Sequence, residues 1–193
     1  MALENRDNSQ RRAFFREALG RIVRPMADFV ERRMEVPPAR VQLRPPGAIR
    51  ESLLVEACSR CGACVDVCPA DAIFALEVSA GAAEGTPVID PDRAACVVCE
   101  GLQCTHVCPS GALLPIVEPS DIRMGVAEVY GALCVRSAGE ACTLCVERCP
   151  MGETAIRFTD EGPPTVYESG CVGCGVCQFS CPTDPKAIVV ASR

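Results

Sequence analysis

Apolar positions along this chain follow two different periods, and neither pattern runs long. Near the N-terminus Phe15, Leu19, Ile22, Met26 and Phe29 recur at intervals of 4, 3, 4 and 3, flanked by Phe14, Val23 and Val30. That spacing is one face of an amphipathic helix, and arginines fill the other faces. Pro25 has no N–H to give a helix interior, so it divides or kinks the segment. Residues 1–35 therefore read as a basic helical segment that packs on the rest of the chain or docks a partner. The stretch 36–50, opening with VPPARVQLRPP, is Pro-rich and reads as an extended linker. Beyond it the apolar runs are strand-length, as in Gly111–Val117. None approaches the ~18 apolar residues of a membrane span.

From residue 51 onward a unit recurs. Short segments ending in an aliphatic residue (PADAI, PSGAL, PMGETAI and PTDPKAI) alternate with extended stretches that lead into turns (PVIDPDRAAC, GVAEVYGALC and PTVYESGC). Each short segment starts at the proline of a Cys-Pro pair. The unit is a loop, a short helical turn and a β-strand, and the first cysteines, at 58, 96, 134 and 171, are 38, 38 and 37 residues apart. A repeat at a nearly fixed period outranks other indications of fold.

Composition explains what holds such a repeat together. Sixteen of the 193 residues are cysteine, whereas Trp is absent and there are two Tyr and six Phe. Few large side chains remain to fill a conventional core, so disulfides or metal must organise the fold. Charge is divided. Residues 1–50 hold eleven Arg and six acids (+5), and residues 51–193 hold eight Lys+Arg and nineteen acids (−11). All the cysteines lie in the acidic part. No nucleic-acid-binding motif accompanies the basic part.

The cysteines form four quartets, each ending in Cys-Pro. Cys58, Cys61, Cys64 and Cys68 are spaced C-x2-C-x2-C-x3-C-P, as are Cys171, Cys174, Cys177 and Cys181. Cys96, Cys99, Cys104 and Cys108 lengthen one gap to x4, and Cys134, Cys142, Cys145 and Cys149 lengthen another to x7. Three cysteines on a tight loop can face three corners of an iron–sulfur cube, and the fourth, after a turn, ligates the neighbouring cube. Cysteines two residues apart are poorly placed to pair as disulfides, and structural zinc uses paired knuckles rather than triplets. The spacing thus predicts four [4Fe–4S] clusters held by all sixteen cysteines. It leaves open whether adjacent quartets pair or outer and inner ones nest. Two half-repeats make a dicluster domain, so the expected fold is α+β: tandem dicluster ferredoxin-like domains over 51–193, preceded by the helical segment.

Nothing in the sequence suggests catalysis. The one histidine, His106, reads as an ordinary residue beside a cluster, and no thiol is spare for nucleophilic work. Asp90/Asp92 and Asp160/Glu161 sit beside turn residues and read as solvated loops. Gly173 and Gly175 read as permissive backbone around a cluster.

The quartets in this order, with the C-x4-C of CVVCEGLQCTHVCP, the C-x7-C of CVRSAGEACTLCVERCP and the lead-in VQLRPPGAI, resemble the NapG/MauM family of ferredoxin-type proteins over roughly residues 41–193. The resemblance implies four [4Fe–4S] clusters and electron transfer from a membrane quinol-oxidising partner, or a soluble donor, toward an oxidoreductase. An iron–sulfur regulatory or cluster-assembly protein is the alternative. Exported relatives carry a twin-arginine signal. Arg11 and Arg12 look like the start of one, but Arg16, Glu17, Arg21 and Arg24 interrupt the apolar core it needs. The expected compartment is therefore the cytoplasm.

Overall fold

The aliphatic residue that closes each short segment after Cys-Pro becomes a buried anchor. Ile73, Leu113, Ile156 and Ile188 are all 3 % exposed or less. The computed structural model describes residues 42–192, so the helical segment expected over 1–35 lies outside the described residues. Strand β1 (Ile73–Ala75) turns back on β2 (Pro87–Ile89), with Ile73 opposite Ile89. Strand β3 (Gly125–Val129) pairs antiparallel with β6 (Ile188–Ser192), Gly125 opposite Ser192. Between them β4 (Ile156–Arg157) and β5 (Thr165–Val166) form a second hairpin. The predicted extended stretches become β2, β3 and β5. The Gly111–Val117 run makes only a single bridge, between Leu113 and Ala48.

Helix α1 (Glu51–Ala57) delivers the chain to Cys58. The other α-helices among the described residues are about one turn long: α2 (Ala63–Asp66), α3 (Gln103–His106), α4 (Leu144–Glu147) and α5 (Val176–Ser180). Each begins inside a quartet and carries its third cysteine. The order strand, quartet, hairpin, quartet, returning strand runs once from Ala48 to Leu113 and again from β3 to β6, in a mixed α+β arrangement.

The stretch expected as a linker differs in its described part. Leu43 is fully buried and exchanges two hydrogen bonds with Ile89, both 2.8 Å. Leu114 N–H donates to the Gly47 carbonyl at 2.7 Å. Arg44 pairs with Glu51 and donates to Thr86 Oγ1 (2.9 Å) and the Pro87 carbonyl (2.8 Å). The segment is extended, as proline demands, but the open edge of the β1–β2 hairpin has unpaired backbone groups that it satisfies. Pro45 and Pro46 then end the pairing after one bridge.

A continuous core runs through Leu43, Ile89, Ile122, Ile156, Ile188 and Val190 and takes in Cys104, Cys174, Cys177 and Cys181 as members. Each fully buried aliphatic adds about 1.5–3 kcal/mol. Leu54, Ala112 and Leu113 make a separate small cluster, against which Cys58, Cys64 and Cys108 pack.

Candidate metal centre

Among the cavities between these elements, four are each lined by four cysteines. Site A has Cys58, Cys61, Cys64 and Cys108 around about 490 Å³. Site B has Cys68, Cys96, Cys99 and Cys104 around about 360 Å³. Site C has Cys149, Cys171, Cys174 and Cys177 around about 340 Å³, and site D has Cys134, Cys142, Cys145 and Cys181 around about 380 Å³. Every cavity takes three thiols from one quartet and the fourth from its neighbour in sequence. Adjacent quartets exchange their last cysteine, and the nested alternative does not occur.

The loop conformation that gathers three thiols is visible in the backbone. The residue before the second cysteine is left-handed in three quartets: Arg60 (φ 56°), Val98 (φ 51°) and Gly173 (φ 73°). So is the residue before the short helix: Gly62 (φ 78°), Leu102 (φ 39°) and Gly175 (φ 84°). These reversals keep successive thiols on one side of the chain. Val98 is β-branched, and holding it there costs about 1–3 kcal/mol. In the third quartet the long gap is taken up by a 3₁₀ turn, Val135–Ala138, closed by left-handed Gly139. Gly173 has a second reason to lack a side chain, since a Cβ there would lie 2.3 Å from the Gly125 nitrogen.

The thiols are held in two ways. Burial pushes Cys96 and Cys174 up to about 12, and Cys64 and Cys145 up to about 11. Burial also raises Cys177 well above the usual thiol value. At Cys108 burial pushes upward too, but the Leu113 N–H and the Ser110 hydroxyl outweigh it and the net shift is down. Backbone amides of Ala72, Leu113 and Ala127 point at the sulfurs of Cys68, Cys108 and Cys171, each at 3.4 Å. A buried thiol surrendering its proton needs a cation in exchange, which metal provides. No carboxylate or imidazole lines any of the four cavities. Among the described residues no group of three or more His, Cys, Asp or Glu is placed to hold a single metal ion. Four thiols alone, disposed around a volume and met by amide donors, fit an iron–sulfur cube.

Sites B and C meet at a junction. The Cys96 N–H donates to the Cys174 carbonyl at 3.0 Å. Gln178 is 2 % exposed; its Nε2 donates to Asp92 Oδ1 and its Oε1 accepts from the Val190 N–H, both 2.9 Å. The reading of Asp90 and Asp92 as a solvated pair holds for Asp92, which is exposed, and is corrected for Asp90. Asp90 is 9 % exposed and its carboxylate accepts the Asp92 N–H at 3.0 Å. Tertiary packing, which local turn chemistry does not reveal, closes over Asp90. Asp160 and Glu161 do lie in an exposed loop. His106 is exposed, with Nε2 3.2 Å from the Ile116 carbonyl, and lines none of these four cavities.

Sequence reasoning passed over two arginines. Arg60, two residues after Cys58, donates to the carbonyls of Glu84 (2.8 Å), Ala82 (2.9 Å) and Cys58 (3.1 Å). Arg136, two residues after Cys134, donates to those of Gly162 (2.7 Å), Glu161 (3.0 Å) and Cys142 (3.3 Å) and lies 4.1 Å from the Phe158 ring centre. The shared position, Cys-x-Arg in the first and third quartets, was the available signal. Each arginine ties its quartet to the hairpin loop that follows.

Among the described residues no helix is long and apolar enough to cross a membrane. The family described as a 4Fe-4S dicluster domain matches residues 57–112, which contain sites A and B. The chain is 39 % identical over 162 residues to the ferredoxin-type protein NapG of Escherichia coli (strain K12), covering 78 % of this chain and 70 % of that protein. It is 35 % identical over 162 residues to the methylamine utilization ferredoxin-type protein MauM of Paracoccus denitrificans (strain Pd 1222), covering 78 % and 71 %. The MauM protein of Methylorubrum extorquens is 37 % identical, covering 78 % and 73 %. Thiol-lined cavities, the dicluster match and these relatives agree on iron–sulfur electron transfer, and the chain belongs to the NapG/MauM family of ferredoxin-type proteins.

Proposed function

We propose that the sixteen cysteines hold four [4Fe–4S] clusters, in two tandem dicluster domains, and that electrons cross the chain in the order A, B, C, D. The observation that carries this reading is the 3 + 1 exchange of cysteines at every cavity, which leaves no thiol unused. Bound there, the clusters supply one-electron chemistry. The chain's own part is spatial. Exchange of Cys68 and Cys108 ties A to B, exchange of Cys149 and Cys181 ties C to D, and the Cys96–Cys174 hydrogen bond ties B to C. Four thiols per site leave no iron open to a substrate. The partners are a donor at one end and an oxidoreductase at the other. A quinol-oxidising membrane subunit is the donor the family resemblance suggests.

Iron and sulfide analysis of anaerobically purified protein tests this. The expected content is about 16 Fe (four per site) and as much sulfide, resistant to chelator. A labile, partly filled protein would favour cluster assembly or regulation instead. A colourless protein, or one holding only zinc, would overturn the proposal.

A further inference from the structure

The four sites share one architecture but differ in the side chains around it. In the order A–B–C–D the two ends match each other, as do the two middle sites. Cavity A is lined by Arg60 and Ser110, and cavity D by Arg136 and Thr183. Cavities B and C have no charged side chain and no hydroxyl on their walls. The difference sits at equivalent positions. The residue after Cys-Pro is Ser110 or Thr183 where that cysteine serves an outer site, and Ala70 or Met151 where it serves an inner one.

The hydroxyls reach the sulfurs. Ser110 Oγ is 3.6 Å from Cys108 Sγ, and Thr183 Oγ1 is 3.2 Å from Cys181 Sγ. A metal-bound sulfur has no proton to give, so the hydroxyl is the donor. At Thr183 the Ala187 N–H already occupies the oxygen at 2.8 Å, which frees the hydroxyl proton for the sulfur. Site D gains a further cation, Lys186, whose Nζ bonds the Cys181 carbonyl at 2.6 Å. Between the inner sites lie buried Asp90 and exposed Asp92, the latter held by Gln178, with the Arg93 guanidinium beside them over the Phe74 ring. Backbone amides reach sulfurs in both classes of site, so the contrast lies in the side chains.

Adding an electron to a thiolate-bound cluster increases an already negative charge. Hydrogen bonds to sulfur and nearby cations stabilise the reduced form, whereas an apolar wall and carboxylates disfavour it. We propose that the chain holds outer sites A and D at higher reduction potential than inner sites B and C, through Ser110 with Arg60 at one end and Thr183 with Arg136 at the other. An electron then rests at an end, beside the donor or acceptor, and crosses the inner pair as an uphill step. One electron enters for each that leaves, and no site is changed at the end of a transfer. This inference rests on the four-cluster reading above.

The test is an EPR-monitored redox titration of the anaerobic full-length protein, after its iron content has been measured. An iron content far from about 16 per chain would sink the four-cluster reading itself, separately from the order of potentials. With full loading, half of the reducible clusters should titrate at the higher potential and half at the lower. Ser110→Ala with Thr183→Val should move only the higher half downward. An effect of about tenfold in the reduced-to-oxidised ratio is about 59 mV for a one-electron couple. Thr183→Ser should restore site D. The reciprocal pair Ala70→Ser and Met151→Thr should raise the lower half, and it carries the test if the first pair assembles poorly. Unmoved potentials in fully loaded variants, or equal shifts in both halves, would overturn the inference.

Discussion

Gln178 fastens the two inner sites together, and its removal has a calculable consequence. In Gln178→Ala, Asp92 loses a charge-assisted hydrogen bond, about 1.5–3 kcal/mol, and the buried Val190 N–H is left unpaired, about 1–3 kcal/mol more. Together these are about 2.5–6 kcal/mol of local stability. At about 1.4 kcal/mol per tenfold, even the lower end means opening roughly 60 times more often. Amide hydrogen exchange of the loaded protein, followed by mass spectrometry, reads this directly. Peptides covering 188–192 and 92–96 should both exchange faster. Gln178→Glu separates the two bonds. It keeps an oxygen for Val190 but sets a second carboxylate against Asp92, so the acceleration should concentrate at 92–96. If Gln178→Ala leaves both peptides within threefold of the parent at equal iron content, the junction does not depend on this residue and the reasoning fails.

The exchanged cysteines make a crossed prediction. Cys108→Ser should remove the site A signal although its position is in the second quartet, and Cys68→Ser should remove site B. Each should lower iron from about 16 to about 12 per chain, and a loss confined to the mutated quartet's own site would refute the exchange. In the iron-free fold, burial holds the Cys96 and Cys174 thiols neutral up to about 12, against an ordinary value of 9.0. The unfolded chain ionises first, so their contribution is whole below about pH 9 and lost as pH rises toward about 12. Melting temperatures of iron-free protein should fall across that range, and a flat profile would contradict the shift. Val98→Gly should relieve the left-handed strain, offset in part by glycine's entropy, for a net gain of about 1 kcal/mol. Slower iron loss on heating would register it, and faster loss would count against the strain.

The sequence alone determined the repeat, the four quartets and the resulting chemistry class. Ligand spacing is a local property, because three thiols two residues apart must share a loop whatever the rest of the chain does. The anchoring aliphatics Ile73, Leu113, Ile156 and Ile188 were legible for the same reason, each closing the short segment that follows Cys-Pro, four residues after the proline in the first two and six in the last two. Tertiary structure alone decided which quartet completes which site, since Cys68 and Cys108 change places only when the β1–β2 hairpin brings their loops together. It turned the supposed linker at Leu43 into an edge of that hairpin. It also buried Asp90 and brought Gln178 onto Asp92 from 86 positions away. Those outcomes depend on long-range backbone pairing and on burial, neither of which a run of residues encodes by its own spacing.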